Sequence, residues 1–488
     1  MTSESLLMLA VALPLGGAVL IALSGRSPNL RETITLTTAV ALFGCVATLV
    51  PRVLAGARPT LELATILPGL PLEFALEPLG MLFAAVASLL WIVNSVYSIG
   101  YMRANGESHQ TRFYVYFAIA LAATMGVALS GNLLTLFMFY EILTLCTYPL
   151  VTHKGTTEAV RGGRVYLGLL LSTSIGLLLL ALLWTWNLTG TLAFTPGGIL
   201  EGRASPAVAG VLLFLYMFGI GKAALMPFHR WLPAAMVAPT PVSALLHAVA
   251  VVKAGVFTIM KVIVYIFGID FLRVIESDWL LYVAGATILI ASLIALRQDN
   301  LKLRLAYSTV SQLSYVILAA AILAPLSIVG AALHIAAHAF GKITLFFAAG
   351  SIYTASHKIR VSELDGIGRR MPWTMGAFAV GALSMIGVPP TAGFVSKWYI
   401  LLAAMATANT FAVVVLIAST LLNAAYFLPI VYAAFFRRPA KAGRAAEHRE
   451  APLPVVLATV TTAVLAILLF WFPELPLRLA DGLTGGKP

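Results

Sequence analysis

Five lysines lie within hydrophobic stretches long enough to cross a bilayer: Lys222, Lys253, Lys261, Lys342 and Lys397. Glu141, His247, His334 and His338 share that placement. A charge at the centre of a membrane helix costs about 2.5–3.5 kcal/mol even on lenient insertion scales. A row of such groups persists where protons or ions must travel, because lysine, glutamate and imidazole can each take up and release a proton. His334, His338 and Lys342 follow at i, i+4 and i+8 and form one stripe on a helix. His247 and Lys253 are six residues apart, so on a regular helix they face different directions. Glu141 is the carboxylate at mid-span, and Lys222 is its natural partner. A static buried salt bridge is the plainer alternative. Lys261, nearer a span end, is expected to snorkel to the surface. The HxxxH spacing admits zinc, but Ile335, Ala336 and Ala337 supply no HExxH glutamate, so no metal is expected.

These residues need long apolar helices to hold them. The chain has 488 residues, 60% hydrophobic and 10% charged, far from the quarter charged that is usual in soluble domains. It reads as an all-α polytopic membrane protein. Fourteen apolar runs are predicted, at 5–24, 33–51, 76–100, 112–130, 132–151, 165–186, 207–226, 241–267, 279–296, 304–324, 326–354, 374–403, 409–436 and 452–472. Glu4 and the lack of a basic region before the first run favour a membrane helix over a cleaved signal.

Loop charge supports this count. Loops after odd-numbered spans hold twenty Lys and Arg, the other side six, and the five intramembrane lysines complete the total of 31. The positive-inside rule puts the odd loops in the cytoplasm and both termini outside. The net charge of +12 is thereby topology rather than a nucleic-acid surface. Cys45 and Cys146 lie in separate apolar runs, and GIGK at 219–222 lacks the spacing of a phosphate loop. No cofactor, redox centre or catalytic constellation is expected within the chain.

Two spans are interrupted by proline: 219–241, with Pro227, Pro233, Pro239 and Pro241, and 387–398, with Pro389 and Pro390. Proline removes a backbone donor, so both spans should be broken helices, with Lys222 just before the first break and Lys397 after the second. In lipid the freed carbonyls must be met by protein or water, which marks a hydrated path. The breaks fall on spans seven and twelve, an odd offset that suggests inverted repeats.

These features resemble the antiporter-like subunits shared by respiratory complex I, energy-converting membrane-bound hydrogenases and Mrp-type cation/proton antiporters. The resemblance covers about residues 76–436. It is carried by YEILTL around Glu141, GKAALMPFHRWLPAAMVAPTPVSALLHAVAVVKAG at 221–255, HIAAHAFGKITLFFAAG at 334–350, and GVPPTAGFVSKW. It implies two inverted five-helix repeats, spans 4–8 (111–267) and 9–13 (268–436). The N-terminal helices occupy 1–110, and a basic cytoplasmic loop, the last span and a short tail fill 437–488. It also implies a proton path through Glu141, Lys222, Lys253, His334, His338 and Lys342. Lys397, where some complex I subunits of M type have glutamate, makes the chain more similar to the Mrp D subunit, N-type or hydrogenase-associated members, and the Mrp D subunit is taken as the nearest in kind. The resemblance further implies a bacterial or archaeal cell membrane, partner membrane subunits, and H+ with Na+ as transported ions. A redox-driven proton pump, a solute transporter and a purely structural subunit are the competing classes.

Overall fold

In the computed structural model, residues 1–67, 69–275, 277–438 and 449–483 are described. Most of the basic loop expected after 437, including Lys441 and Arg444, lies outside them, as does Lys487. The main helices, in chain order, are α1 (Ser3–Leu23), α2 (Pro28–Leu54), α3 (Pro78–Ala104), α4 (Gln110–Ala128), α5 (Leu133–Val151) and α6 (Thr157–Thr189). They continue as α7 (Pro206–Gly219), α8 (Thr240–Phe267), α9 (Trp279–Arg297), α10 (Leu301–Ala321) and α11 (Pro325–Ser356). The last are α12 (Pro372–Ile386), α13 (Ala392–Ala406), α14 (Thr410–Phe436), α15 (Leu453–Trp471) and α16 (Glu474–Asp481). Among the described residues, eleven helices are long and apolar enough to cross a membrane. The other three predicted spans fall on α7, on α10, and on the pair α12 and α13.

The all-helical expectation misses one feature. Between α2 and α3 the chain forms an antiparallel hairpin, β1 (Thr60–Leu67) with β2 (Leu70–Ala75). Its alternating LELATIL run has the period of a strand and is too short to register as a span.

Helices α8 and α11 form the centre. The most apolar window of each is completely enclosed, against about two-fifths for α1, α2, α14 and α15. A helix hydrophobic all round has no preferred face, so its neighbours decide its surroundings. Here α3, α10, α12, α13 and α15 surround α11. The outer helices show Leu20, Leu183, Leu421 and Leu457 on the surface, as lipid contact requires.

Both proline breaks are present. The first runs from the end of α7 through a tight turn at Gly221–Ala223 to short helical pieces at Trp231–Ala234 and Ala235–Val237. Lys222 sits inside this break rather than before it. The second occupies 387–391 between α12 and α13, and Gly387 takes φ +91° there, a conformation that favours glycine. Helix α8 is irregular too. A wide turn at Leu245–Val249 ends at Ala250, with φ −112° and ψ −74°, and shifts the register between His247 and Lys253.

The turn carrying Lys222 packs directly on α8 at Gly255. A Cβ added there would lie 2.3 Å from the Ala223 nitrogen, whereas one added to Gly16 meets nothing within 4 Å. Gly255→Ala should therefore destabilise the purified protein by about 1–3 kcal/mol, and Gly16→Ala should stay within about 0.5 kcal/mol of the parent. Thermal melting in mild detergent checks this, and equal melting temperatures for the two variants would refute the close approach.

Candidate proton path

Lys397 shows why a break and a lysine belong together. In a continuous helix the Met385 and Ile386 carbonyls would accept from the amides of residues 389 and 390. Both of those are proline and have no amide hydrogen. The Lys397 ammonium, one turn into α13, donates to Met385 O at 2.6 Å and to Ile386 O at 3.1 Å. It also lies 4.5 Å from the centre of the Tyr315 ring. Lys397 is thus held by the backbone groups that the two prolines leave free.

Lys222 has a different host. Its ammonium donates to the Tyr140 carbonyl at 2.8 Å and to the Thr144 hydroxyl, and lies 3.2 Å from the Tyr140 ring centre. The expected ion pair with Glu141 is not formed. Among the described residues the Glu141 carboxylate has no hydrogen-bond partner, and Lys222 joins no ion pair. The cause is helical geometry. Tyr140 and Thr144 share the inner face of α5, while Glu141 lies at its edge next to the exposed Met138, Ile142 and Leu145, half-buried with both carboxylate oxygens enclosed.

At the centre two hydrogen-bonded groups lie side by side. Lys253 Nζ lies 2.6 Å from His338 Nδ1, and the His338 and His334 rings are 6.1 Å apart. His334 Nδ1 meets Ser396 Oγ at 2.9 Å, and its Nε2 meets Gln312 Oε1 at 3.1 Å. Gln312 Nε2 donates to Met385 O, the carbonyl shared with Lys397, and to Asn423 Oδ1. A side branch starts at Lys342, which donates to Ser308 Oγ at 2.8 Å. Ser308 contacts Tyr426 Oη at 3.0 Å, and Tyr426 bonds Asn423. Lys253, Lys342, His334, His338 and Gln312 are all buried. Isolated polar groups at that depth are costly unless hydrogen-bonded, yet His338 Nε2 has no partner among the described residues, so the hydrogen-bonded chain is interrupted between His338 and His334.

His247 departs from expectation. The wide turn in α8 brings it toward α11, like Lys253, with its ring 4.7 Å from Phe346. Neither ring nitrogen has a partner among the described residues. Lys261 does not snorkel. It is enclosed, with its ammonium 2.6 Å from Glu77 Oε1 and 3.9 Å from the Phe194 ring centre.

Sequence reasoning missed Lys302, counted as a loop cation. It reaches inward to Met236 O at 2.8 Å and Ala238 O at 2.6 Å, in the irregular stretch before α8. It borders a cavity of about 550 Å³ that opens on the cation-rich side among Lys154, Arg161, Lys358, Tyr101 and Thr240. Gln312, Asn423, Tyr426 and Thr144 were missed as well. The repeated polar residues of α10, Ser308, Ser311, Gln312, Ser314 and Tyr315, were the available signal.

The family model described as NADH:quinone oxidoreductase/Mrp antiporter, TM, matches residues 130–423. The chain belongs to this family. It is 33% identical to NADH-quinone oxidoreductase subunit N of Desulforudis audaxviator over 386 residues, 78% of this chain and 76% of that one. Against the chloroplast NAD(P)H-quinone oxidoreductase subunit 5 of Adiantum capillus-veneris it is 34% identical over 66% of its length, but it spans only 45% of that longer protein. The Mrp complex of Dietzia sp. DQ12-45-1b contains a chain of the same fold, with TM-score 0.89, 24% identity and coverage of 100% of this chain and 98% of the other. The protein is a multi-pass membrane member of this antiporter-like family.

The Lys261–Glu77 pair gives a stability test. Glu77→Gln alone should destabilise the protein by about 3–5 kcal/mol, because it strands a buried ammonium. Glu77→Gln combined with Lys261→Met should recover most of that loss. Melting of the purified variants decides it, and a double variant no more stable than the single would show the pair is not what holds Lys261.

Proposed function

We propose that this chain is a proton-translocating subunit of a multisubunit membrane complex, most similar in role to the D subunit of Mrp-type Na+/H+ antiporters. The supporting observation is the enclosed series of titratable groups Lys253, His338, His334 and Lys397, the last two oriented by Gln312 and the Met385 carbonyl. It lies at the depth where water is otherwise excluded. On this reading Lys222, with Glu141 near it, loads protons, and the cavity beside Lys302 admits water from the cation-rich side. Lys253 and the histidines, with His247 on the flank, carry protons across, and Lys397 releases them. Lys342 holds a reserve charge on the branch. The proposal places the odd loops in the cytoplasm of a bacterial or archaeal cell membrane and both ends of the chain outside. It also takes 111–267 and 268–436 as inverted repeats about the two breaks, marked by Pro227 and by Pro389 and Pro390.

Moving one elementary charge against 100 mV requires about 2.3 kcal/mol, so a driving reaction is needed. An opposing Na+ gradient is the first reading. The 33% identity to a quinone oxidoreductase subunit supports a second, in which redox partners supply the energy.

Everted vesicles separate these readings. Sodium-dependent dissipation of a pH gradient without any electron donor is expected for the antiporter, and strict dependence on NADH, formate or hydrogen would replace it with the redox-driven reading. Lys253→Met and Lys397→Met should each lower proton transport by about 10²-fold, within the usual contribution of a proton-transferring group, with the complex still assembled. Full transport in both variants would end the proton-path proposal.

A further inference from the structure

Gln312 is a neutral amide enclosed at the junction of titratable groups, and satisfying its hydrogen bonds leaves one arrangement. The Met385 carbonyl can only accept, so the Gln312 group facing it at 3.3 Å must be the NH2. The second amide hydrogen points to Asn423 Oδ1 at 3.4 Å. The opposite end, Oε1, can only accept. His334 Nε2, 3.1 Å from it, must therefore carry a hydrogen. The neutral ring then keeps its lone pair on Nδ1, facing Ser396 Oγ at 2.9 Å.

We propose that Gln312 is a positioning residue that locks His334 as the Nε2–H tautomer and forces proton exchange at this ring through Nδ1. This rests on the proton-conducting reading above. A proton reaches Nδ1 through Ser396, whose hydroxyl hydrogen passes to the ring as its oxygen takes one from a protonated water, and the new hydroxyl hydrogen turns to the Gly393 carbonyl at 3.1 Å. In the reverse step Nδ1 returns its proton to Ser396 Oγ as the serine hydroxyl hydrogen passes to water, and Ser396 donates to Nδ1 again. The hydrogen on Nε2 stays in place, because a neutral amide oxygen is too weak a base to take it. Gln312 thereby separates His334 from the branch of Asn423, Tyr426, Ser308 and Lys342, while the Met385 carbonyl ties its orientation to Lys397. A carboxylate at the same position could accept from Nε2 and pass the proton on, joining the two routes.

The test uses the assembled complex in everted vesicles, with Gln312→Leu and the near-isosteric Gln312→Glu. Coupled proton transport should fall roughly tenfold in Gln312→Leu, the scale of one lost hydrogen bond. An imposed pH gradient should collapse severalfold faster in Gln312→Glu than in the parent. Solid-state 15N spectra of histidine-labelled complex give a readout that packing alone would not move. The His334 signal, assigned by its loss in His334→Ala, should report hydrogen on Nε2 in the parent and a tautomer mixture in Gln312→Leu. Hydrogen on Nδ1 in the neutral parent ring, or parental transport by assembled Gln312→Leu, would overturn the assignment. Should the parent itself move no protons, the underlying functional reading falls, while the parent's tautomer spectrum still decides the role of Gln312.

Discussion

The structure depends on backbone carbonyls that have lost their helical donors where lipid supplies none. Each such group left unmet at membrane depth costs several kcal/mol. Pro389 and Pro390 release the Met385 and Ile386 carbonyls, and Lys397 meets both. In the irregular stretch before α8, Met236 and Ala238 are met by Lys302. An ammonium offers three donors and no acceptor, so it suits a site made of several carbonyls. Conversely, the carbonyls offer a desolvated ammonium part of what water would have given it. Break and lysine stabilise each other, and neither would be tolerable alone.

That constraint determines where the remaining polar groups lie. With α8 and α11 fully enclosed, the side chains between them can meet only one another, and the donors and acceptors are sorted accordingly. Lys253 faces the imidazole of His338, Lys342 faces the Ser308 hydroxyl, and Asn423 accepts from both Gln312 and Tyr426. Lys253 and His338 meet directly, whereas Lys342 is spaced from His334 by the hydroxyls of Ser308 and Tyr426 and the amides of Asn423 and Gln312. Such spacing allows a proton to be held at one station without its charge collapsing onto the next.

Charged and imidazole side chains were legible in the sequence because lipid makes each of them expensive, so their survival carries information. The proline breaks were legible for the same reason. The partners were not. Serine and threonine in a membrane helix satisfy themselves on the carbonyl one turn back, as Thr144 does on Tyr140 and Thr309 on Leu305, so Ser308 looks no different in sequence from an idle hydroxyl. Gln312 and Asn423 are separated by 111 residues, beyond any local pattern. The Glu141–Lys222 pairing failed because residue type suggested it, whereas the helical phase of α5 turns Tyr140 and Thr144 inward. Lys261 was misread because its partner, Glu77, caps the start of α3 at the edge of the third run, 184 residues away in the chain, beyond any local pattern. The hairpin at 60–75 lay in a gap that a search for spans passes over.

The two lysines at the breaks differ in how tightly they are held, and this bears on the proposed direction of transfer. The Tyr140 carbonyl that receives Lys222 belongs to the regular helix α5 and also accepts from the Thr144 hydroxyl at 3.1 Å. If Lys222 withdraws, that carbonyl remains hydrogen-bonded. Met385 and Ile386 have no such reserve from their own helix, so withdrawal of Lys397 leaves Ile386 unmet and Met385 with Gln312 alone. Displacing Lys222 therefore costs less than displacing Lys397. On the proposed reading, in which Lys222 loads and Lys397 releases, any event that frees Lys397 must at the same moment supply donors to the α12 carbonyls. Water entering the second break would meet that requirement and, on the same reading, would couple departure of the proton to hydration of the break.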